Sequence, residues 1–436
     1  MERVRKSVHT SVTQFGRNTF VSLQIRNYRL YFTGQGVALS GTWMQTVAQG
    51  WLVLELTGSG TKLGLLVALQ FLPMLLLGPW GGLVADRLDK RKILYVTQGA
   101  MGALALVLSI LVFTHTITLF GLYAFGLALG FVRLFDNPAR QTFVSELVPK
   151  EYVKNAVSLN ATVNNLARAV GPSIAGVLIA GIGMAFCFLF TALAYVVSVV
   201  MLMQIDSNKL EPSVKSTKKK GELREGFRYV MASPLIRNTL IVMACVGTFV
   251  YEFQVSLPII AHEVFKGDAK SYALLLAALG IGSVIGGLFA AGRHKVSPRH
   301  LMVFLFFLSI SMVVTACMPT LFLATLGMLV VGFFSINVTS LGNTMIQLES
   351  ASHMRGRVMA LWGMAMMGST PVGGPIVGFV GEYFGGRWGL ALGGIAALVA
   401  CMYGALTLLR IGNLPPVTEE VEEGTEEALA ESEKLA

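Results

Sequence analysis

Charge is scarce in this chain. Of its 436 residues only 13% are Asp, Glu, Lys or Arg, against ~25% in ordinary soluble domains. Because 54% are hydrophobic, no single water-exposed globule can hide them, and the chain belongs in a bilayer. Cysteine is sparse too. Cys187, Cys245, Cys317 and Cys401 lie far apart, each inside an apolar run, and read as small hydrophobes with no disulfide frame and no metal spacing. A Gly-x-x-x-x-Gly-Lys-[Ser/Thr] phosphate loop is missing, and the six histidines show no paired spacing. ATP is therefore excluded as the direct energy source, nothing looks enzymatic, and no cofactor or metal is expected. Alternation in ten-residue segments is also lacking, which excludes a transmembrane barrel.

What is present is a series of long apolar runs. Twelve stretches of about twenty residues occur near 28–54, 63–85, 93–113, 118–137, 155–180, 184–204, 237–260, 272–291, 301–318, 321–345, 356–381 and 388–410. Each is long enough to cross ~30 Å of hydrocarbon as a helix. The 47 glycines suit helices that must approach closely in lipid. The fold expected is an all-α membrane protein of twelve transmembrane helices in two six-helix bundles. Its parts would be an N-terminal segment 1–27, a bundle 28–204, a linker 205–236, a second bundle 237–410 and an acidic tail 411–436.

Twelve spans place both termini on one side, and lysine and arginine choose which. With the N-terminus inside, the inner segments and tail hold 28 of the 34 cations. The outer loops hold Lys62, Lys266, Lys270 and Arg387, while Arg133 and Arg168 fall within spans. That asymmetry predicts cytoplasmic termini in the cytoplasmic (inner) membrane. The net charge of +10 follows from this orientation, so nucleic acid is not a partner. The basic lead-in lacks a cleavable signal pattern and reads as interfacial. The linker carries Lys215, Lys218, Lys219 and Lys220, followed by a short surface helix near 221–229. The tail, with Glu419, Glu420, Glu422, Glu423, Glu426 and Glu427, is expected to be solvated.

Between the second and third runs lies a tight, strongly charged turn: Gly81-Gly82-Leu83-Val84-Ala85-Asp86-Arg87-Leu88-Asp89-Lys90-Arg91-Lys92. Asp86 at the boundary can face the N-terminus of another helix, and the cations can meet acids or lipid phosphate. The two halves share landmarks. Gly171-Pro172 in span five and Gly374-Pro375 in span eleven sit 203 residues apart, and Gly81-Gly82 and Lys90 match Gly286-Gly287 and Lys295 at nearly the same offset. Parallel repeats with a site between them permit alternating access by rocking. At span five Pro172 bends the helix, and Gly171, Ala175 and Gly176 leave a groove for a partner.

Polar residues inside spans usually face a cavity or a partner helix. Span one offers Gln35, Gln45 and Gln49 with Trp43 and Trp51, and span five a stripe of Asn160, Asn164 and Arg168. Span ten adds Asn337 and Asn343. These are the candidate substrate path; interhelical hydrogen bonding is the plainer alternative. Arg133 and Asp136 are three residues apart at the end of span four and can pair on one face. Glu252, well inside span seven, is the sharpest proton-coupling candidate, with Asp136 and Arg133 beside it in that role. A glutamate hydrated by an exit cavity is the plainer reading of Glu252.

The pattern Gly-x-x-x-Asp-Arg-x-x-[Lys/Arg]-[Lys/Arg] beginning at Gly82, with Asp86, Arg87, Lys90 and Arg91, resembles the loop after helix two of the major facilitator superfamily of secondary transporters. Glycine is usual there where Asp89 stands. Arg26-Asn27-Tyr28-Arg29-Leu30, Gly41-Thr42-Trp43-Met44-Gln45, Ala48-Gln49-Gly50-Trp51-Leu52, Asp136-Asn137-Pro138-Ala139-Arg140-Gln141 and Arg355-Gly356-Arg357-Val358 are similar to the branch that includes the enterobactin exporter. The resemblance spans about residues 20–410. It implies that Asp86 meets the start of span eleven, with Arg355 and Arg357, and that Asp136 takes a first-loop cation such as Arg91. Together these contacts would lock the outward-facing state.

Gly171-Pro172-Ser173-Ile174-Ala175-Gly176 resembles the antiporter segment of the family, with alanine where its first paired glycine stands. The resemblance thus implies a monomeric exporter of small organic molecules, drug-like or siderophore-like, working by alternating access and proton antiport among membrane lipids. A lysophospholipid or lipid-handling carrier, an uptake symporter and a non-transporting membrane sensor are the alternatives.

Overall fold

The computed structural model describes residues 20–211, 222–293, 296–351, 354–367 and 369–411. The expectations for the N-terminal segment as far as residue 19, for Lys215, Lys218, Lys219, Lys220 and Lys295, and for the tail from 412 fall outside those residues. The side chains of Asp86 and Arg87, and the surroundings of Gly82, do as well.

The described chain is helical, and its helices follow the apolar runs. They are α1 Arg26–Thr57, α2 Gly60–Arg87, α3 Lys90–Phe113, α4 Leu119–Phe143, α5 Val153–Gly181 and α6 Met184–Met203. A short α7, Glu222–Ala232, sits in the linker. The second half holds α8 Pro234–Val264, α9 Ala269–Ala291, α10 Pro298–Cys317, α11 Leu321–Glu349, α12 Arg355–Met367, α13 Thr370–Phe384 and α14 Gly386–Ile411. Among the described residues, ten of these are long and apolar enough to cross a membrane. Two of the twelve expected spans fall short of that measure for identifiable reasons. Gln35, Ser40, Thr42, Gln45, Thr46 and Gln49 dilute α1, and span eleven is divided into α12 and α13, of 13 and 15 residues.

Short polar residues start most of the helices, because the first N–H groups have no partner within a helix. The side chains of Ser59, Thr118, Asp268 and Thr320 accept from Lys62, Gly121, Ser271 and Leu323. Ser233 and Ser297 do the same ahead of Pro234 and Pro298, each proline standing where a missing N–H costs nothing. Asp89 has the same task. Its Oδ1 accepts from the N–H groups of Arg91 at 2.9 Å and Lys92 at 3.3 Å, so the residue that departs from the family pattern caps α3.

In the first half α1 packs on α5 and α6, α3 on α6 and α2 on α4. In the second, α9 packs on α11 and α10 on α11 and α14. The halves meet chiefly through two helix pairs, α2 with α13 and α5 with α9, with smaller contacts of α1 and α2 on α8, α9 and α12. Gly171 is where α1 crosses α5: a Cβ there would stand 2.7 Å from the Ser40 carbonyl oxygen. The groove beside Pro172 thus seats a helix of its own bundle. Its counterpart beside Pro375 lies on the seam between bundles.

Candidate functional site

The seam is fastened by backbone against backbone. In α2 the spacing Gly60-x-x-x-Gly64 meets Gly374-x-x-x-Gly378 in α13, the helices running antiparallel. A Cβ on Gly64 would lie 2.3 Å from the Gly374 carbonyl oxygen, and one on Gly378 would lie 2.3 Å from that of Gly60. Only glycine allows this approach, which replaces absent hydrophobic force with van der Waals contact. The α5–α9 junction uses small residues likewise. Gly280 lies against the Arg168 carbonyl and Ala169, and Gly176 against Ala273.

The α2–α13 contacts lie toward one end of the bundles, and Gly280 against Arg168 lies near half depth. The end where α2 meets α13 carries Lys62, Lys266 and Arg387 at or beside its helix ends; the other carries Lys90, Arg91, Lys154, Arg237 and Arg357, and is here termed the basic end. Hydrogen bonds also cross the seam at the end away from the basic loops: one oxygen of Glu382, on α13, accepts from Ser59 Oγ at 2.7 Å and from the Thr61 N–H at 2.8 Å. The sequence reading missed Glu382 and the paired Gly-x-x-x-Gly spacings. The spacings were visible as a helix-association signal, whereas nothing in sequence paired Glu382 with Ser59.

Halfway down the seam three residues from three helices converge. The Arg168 guanidinium carbon stands 5.0 Å from the centroid of the Trp43 ring. Tyr251 of α8 is within electrostatic reach of Arg168 from the other bundle. Its hydroxyl donates to the Ser335 carbonyl at 2.8 Å and lies 2.7 Å from Thr339 Oγ1, which fixes the ring against α11. Tyr251 was not among the sequence candidates, because a lone tyrosine in an apolar span carries no signal.

Glu252 occupies the neighbouring break. α8 passes through a π-turn at Val246–Val250, turns at Tyr251 and Glu252, and resumes at Phe253–Ile259. α13 begins at Thr370 after its own interruption. The Glu252 carboxylate, only 3% exposed, points at that start, and Cβ atoms on Gly373 and Gly374 would lie 3.1 and 3.6 Å from its two oxygens. Two discontinuous helices meeting inside the protein are how irregular backbone is tolerated at membrane depth. The residue is enclosed by protein rather than lining an open exit cavity.

The other path candidates divide. Asn337 is fully buried, and its amide donates to the Gly286 and Phe333 carbonyls at 3.1 and 2.7 Å and accepts from Arg293. It thus bonds α11 to α9. Asn164 donates to the Asn160 carbonyl one turn back, and Asn343 accepts from Gln347. Gln45 and Gln49 are buried, and Gln49 Nε2 has no hydrogen-bond partner among the described residues.

At the basic end Asp136 accepts from Thr97 Oγ1 at 2.8 Å and pairs with Arg140 at 3.5 Å, with Arg133 in electrostatic reach. Arg91 is not with Asp136. It holds the end of α6, donating to the carbonyls of Leu202 at 3.2 Å and Met203 at 2.9 Å and to Ser207, while Lys90 pairs with Glu146. Arg357 pairs with Glu225 of α7 at 3.0 Å, and Arg355 donates to the Gln347 carbonyl at 3.1 Å.

A family model described as transmembrane secretion effector matches residues 17–429. The chain belongs to that family. It is a membrane transporter of the major facilitator superfamily, and its chemistry is binding and movement rather than catalysis. It is 23% identical to the staphyloferrin A transporter of Staphylococcus aureus, over 82% of this chain and 90% of that one. To the enterobactin exporter EntS of Salmonella typhimurium it is 24% identical, over 90% and 95%. Among solved structures it is similar to a bacterial homologue of the human lysosomal transporter Spinster in an inward-facing, unoccupied conformation. That likeness has a TM-score of 0.72 and 13% identity over 89% of this chain and 98% of that one. The human organic anion transporter MFSD10 is similar at TM-score 0.64 and 14% identity, over 87% and 99%.

Proposed function

We propose that this transporter exports small organic molecules, siderophore-like or drug-like, across the cytoplasmic membrane in exchange for protons, as a monomer with both termini in the cytoplasm. The seam carries the reading: two bundles, 28–204 and 237–410, held backbone to backbone at the end opposite the basic loops, with a polar midpoint between them. Lysine and arginine bias makes the basic end cytoplasmic, so this arrangement is inward-facing and ready to load. The siderophore in the name of each relative supports the substrate class.

In the resulting cycle, substrate enters from the cytoplasm or inner leaflet and settles at the middle of the seam. The glycine contacts then part and the basic end closes. Asp86 meets α12 there, taking Arg357 from Glu225 and lying near Arg355, while Arg87, Lys90 and Arg91 fix the loop that presents it. Opening exposes Glu252 to the outside, where it takes a proton as substrate leaves; Asp136 and Arg133 adjust the basic end when the proton is released. Gly171, Pro172 and Gly176 give α5 the bend that lets it roll on α1 and α9. Gln45, Gln49, Asn160, Asn164, Arg168, Asn337 and Asn343 belong to the wall of the path or to its support.

The test is purified protein in liposomes under an imposed pH gradient, with enterobactin, staphyloferrin A, ethidium and a labelled lysophospholipid as cargo. Flux of a siderophore against the proton gradient supports the reading. Movement of substrate with protons, or of the lysolipid alone, overturns it.

A further inference from the structure

Arg168 is the sixteenth of the 29 residues of α5, so its guanidinium sits near half depth in the protein. Trp43 and Tyr251 lie equally far along their own helices. A charge at that depth is costly and is ordinarily balanced by an acid. Arg168 has none among the described residues. Asp136 is engaged by Thr97 and Arg140, Glu252 faces the start of α13, and the other ion pairs, Lys90–Glu146, Lys209–Asp206 and Arg357–Glu225, lie at the basic end.

What Arg168 does have is neutral. The Trp43 ring lies beside the guanidinium at cation–π distance. Tyr251 donates its hydroxyl proton to the Ser335 carbonyl, so it offers Arg168 no negative charge. The position of the side chain is set by the seam, since the Arg168 carbonyl abuts Gly280. A planar guanidinium beside an aromatic face keeps N–H donors at its edge for a two-oxygen anion.

We propose that Arg168, Trp43 and Tyr251 form the subsite for an anionic, planar group of the transported molecule, an aromatic or hydroxy-carboxylate. This rests on the exporter reading and names the substrate chemistry within it. The anion supplies the charge that the protein withholds. Because Arg168 and Trp43 belong to one bundle and Tyr251 to the other, occupancy bridges the halves at their midpoint. Cationic and neutral molecules gain nothing from the guanidinium and are disfavoured by the same uncompensated charge.

The experiment uses the full-length protein in liposomes and measures binding of 2,3-dihydroxybenzoate and of catechol, which is its analogue without the carboxylate, with siderophore flux followed in the same vesicles. Wild type should bind the carboxylate more tightly than catechol. R168Q should weaken carboxylate binding on the order of 10- to 100-fold while leaving catechol within about twofold. R168K should keep part of the preference, and W43L should weaken both probes by about fivefold. Thermal melting of each variant in detergent separates lost binding from lost folding; if R168Q does not fold, R168K and W43L carry the comparison. Wild type that transports siderophore but prefers catechol, or R168Q that binds both probes as wild type does, overturns the anion subsite and leaves the exporter reading standing. Vesicles in which no siderophore moves overturn the exporter reading itself.

Discussion

Glu382 and Ser59 lie 323 residues apart and meet across the seam, the serine hydroxyl donating to a carboxylate oxygen that also accepts from the Thr61 N–H. Ser59 is the residue that caps α2. A side chain of one bundle therefore completes the first turn of a helix in the other, where unpartnered N–H groups and the helix dipole favour an anion.

This contact should bias the seam toward closure at that end. Glu382 is partly exposed, so solvent screening reduces its worth to about 1 kcal/mol, or roughly a fivefold change in the balance of states. Glu382→Gln keeps a hydrogen-bond acceptor and removes the charge. Spin labels at Lys62 and Tyr383 should show the long-distance population rising by about that factor. An unchanged distance distribution would show that the glycine contacts alone set the balance.

Those contacts make a sharper prediction. A methyl group on Gly64 would stand 2.3 Å from a backbone oxygen of α13, and no flexible side chain is there to yield. Gly64→Ala should leave each bundle folded, because the clash lies between bundles, yet hold them apart at this end. Expected are a cysteine in place of Thr61, whose Oγ1 is buried at the seam, that reacts slowly in wild-type background and rapidly beside the alanine, and a loss of flux. Fast flux in Gly64→Ala would mean that the close approach is incidental to the cycle.

Much of this was legible in the sequence, and what was hidden has a common cause. Run length carries the helices, because a bilayer imposes a minimum length on every span. Gly171-Pro172 marked a groove, and α1 lies in it. Span eleven looked continuous because hydropathy is blind to a backbone break, yet the division before Thr370 is what brings Glu252 to Gly373. Asn337 shows the limit of polarity as a signal: an amide inside a span faces either a path or a neighbour, and here it bonds α11 to the Gly286 carbonyl. Arg91 looked like a partner for Asp136 by resemblance and instead holds the end of α6. Which partner a cation at a helix end takes is set by the packing of helices distant in sequence, and local sequence does not encode that choice.

In the proposed cycle Glu252 carries the proton. Glu252→Gln preserves shape and removes the exchangeable proton. In wild type, acidifying the outer compartment should accelerate export, since the carboxyl loads from that side. The variant should lose pH-driven flux by about tenfold or more, while exchange of labelled for unlabelled substrate at equal pH stays within about twofold. Loss of both activities in a folded variant would place Glu252 in the substrate site or the scaffold and remove it from coupling.

The basic end supplies the last prediction. In this structure Arg357 pairs with Glu225, whose side chain is 50% exposed, and such a pair contributes only a few tenths of a kcal/mol. A contact that weak is suited to being surrendered each cycle. Glu225→Gln should therefore change turnover by less than about twofold. If Asp86 is the residue that receives the helix when this end closes, its partner contact forms away from solvent and is worth more, so Asp86→Asn should slow turnover by about tenfold or more. The two variants combined should resemble Asp86→Asn alone, because the weaker hold matters only when the stronger one can replace it. Flux measured in liposomes at matched protein density decides the matter. A large loss in Glu225→Gln with little in Asp86→Asn would reverse the assignment and make the α7 contact the working clamp.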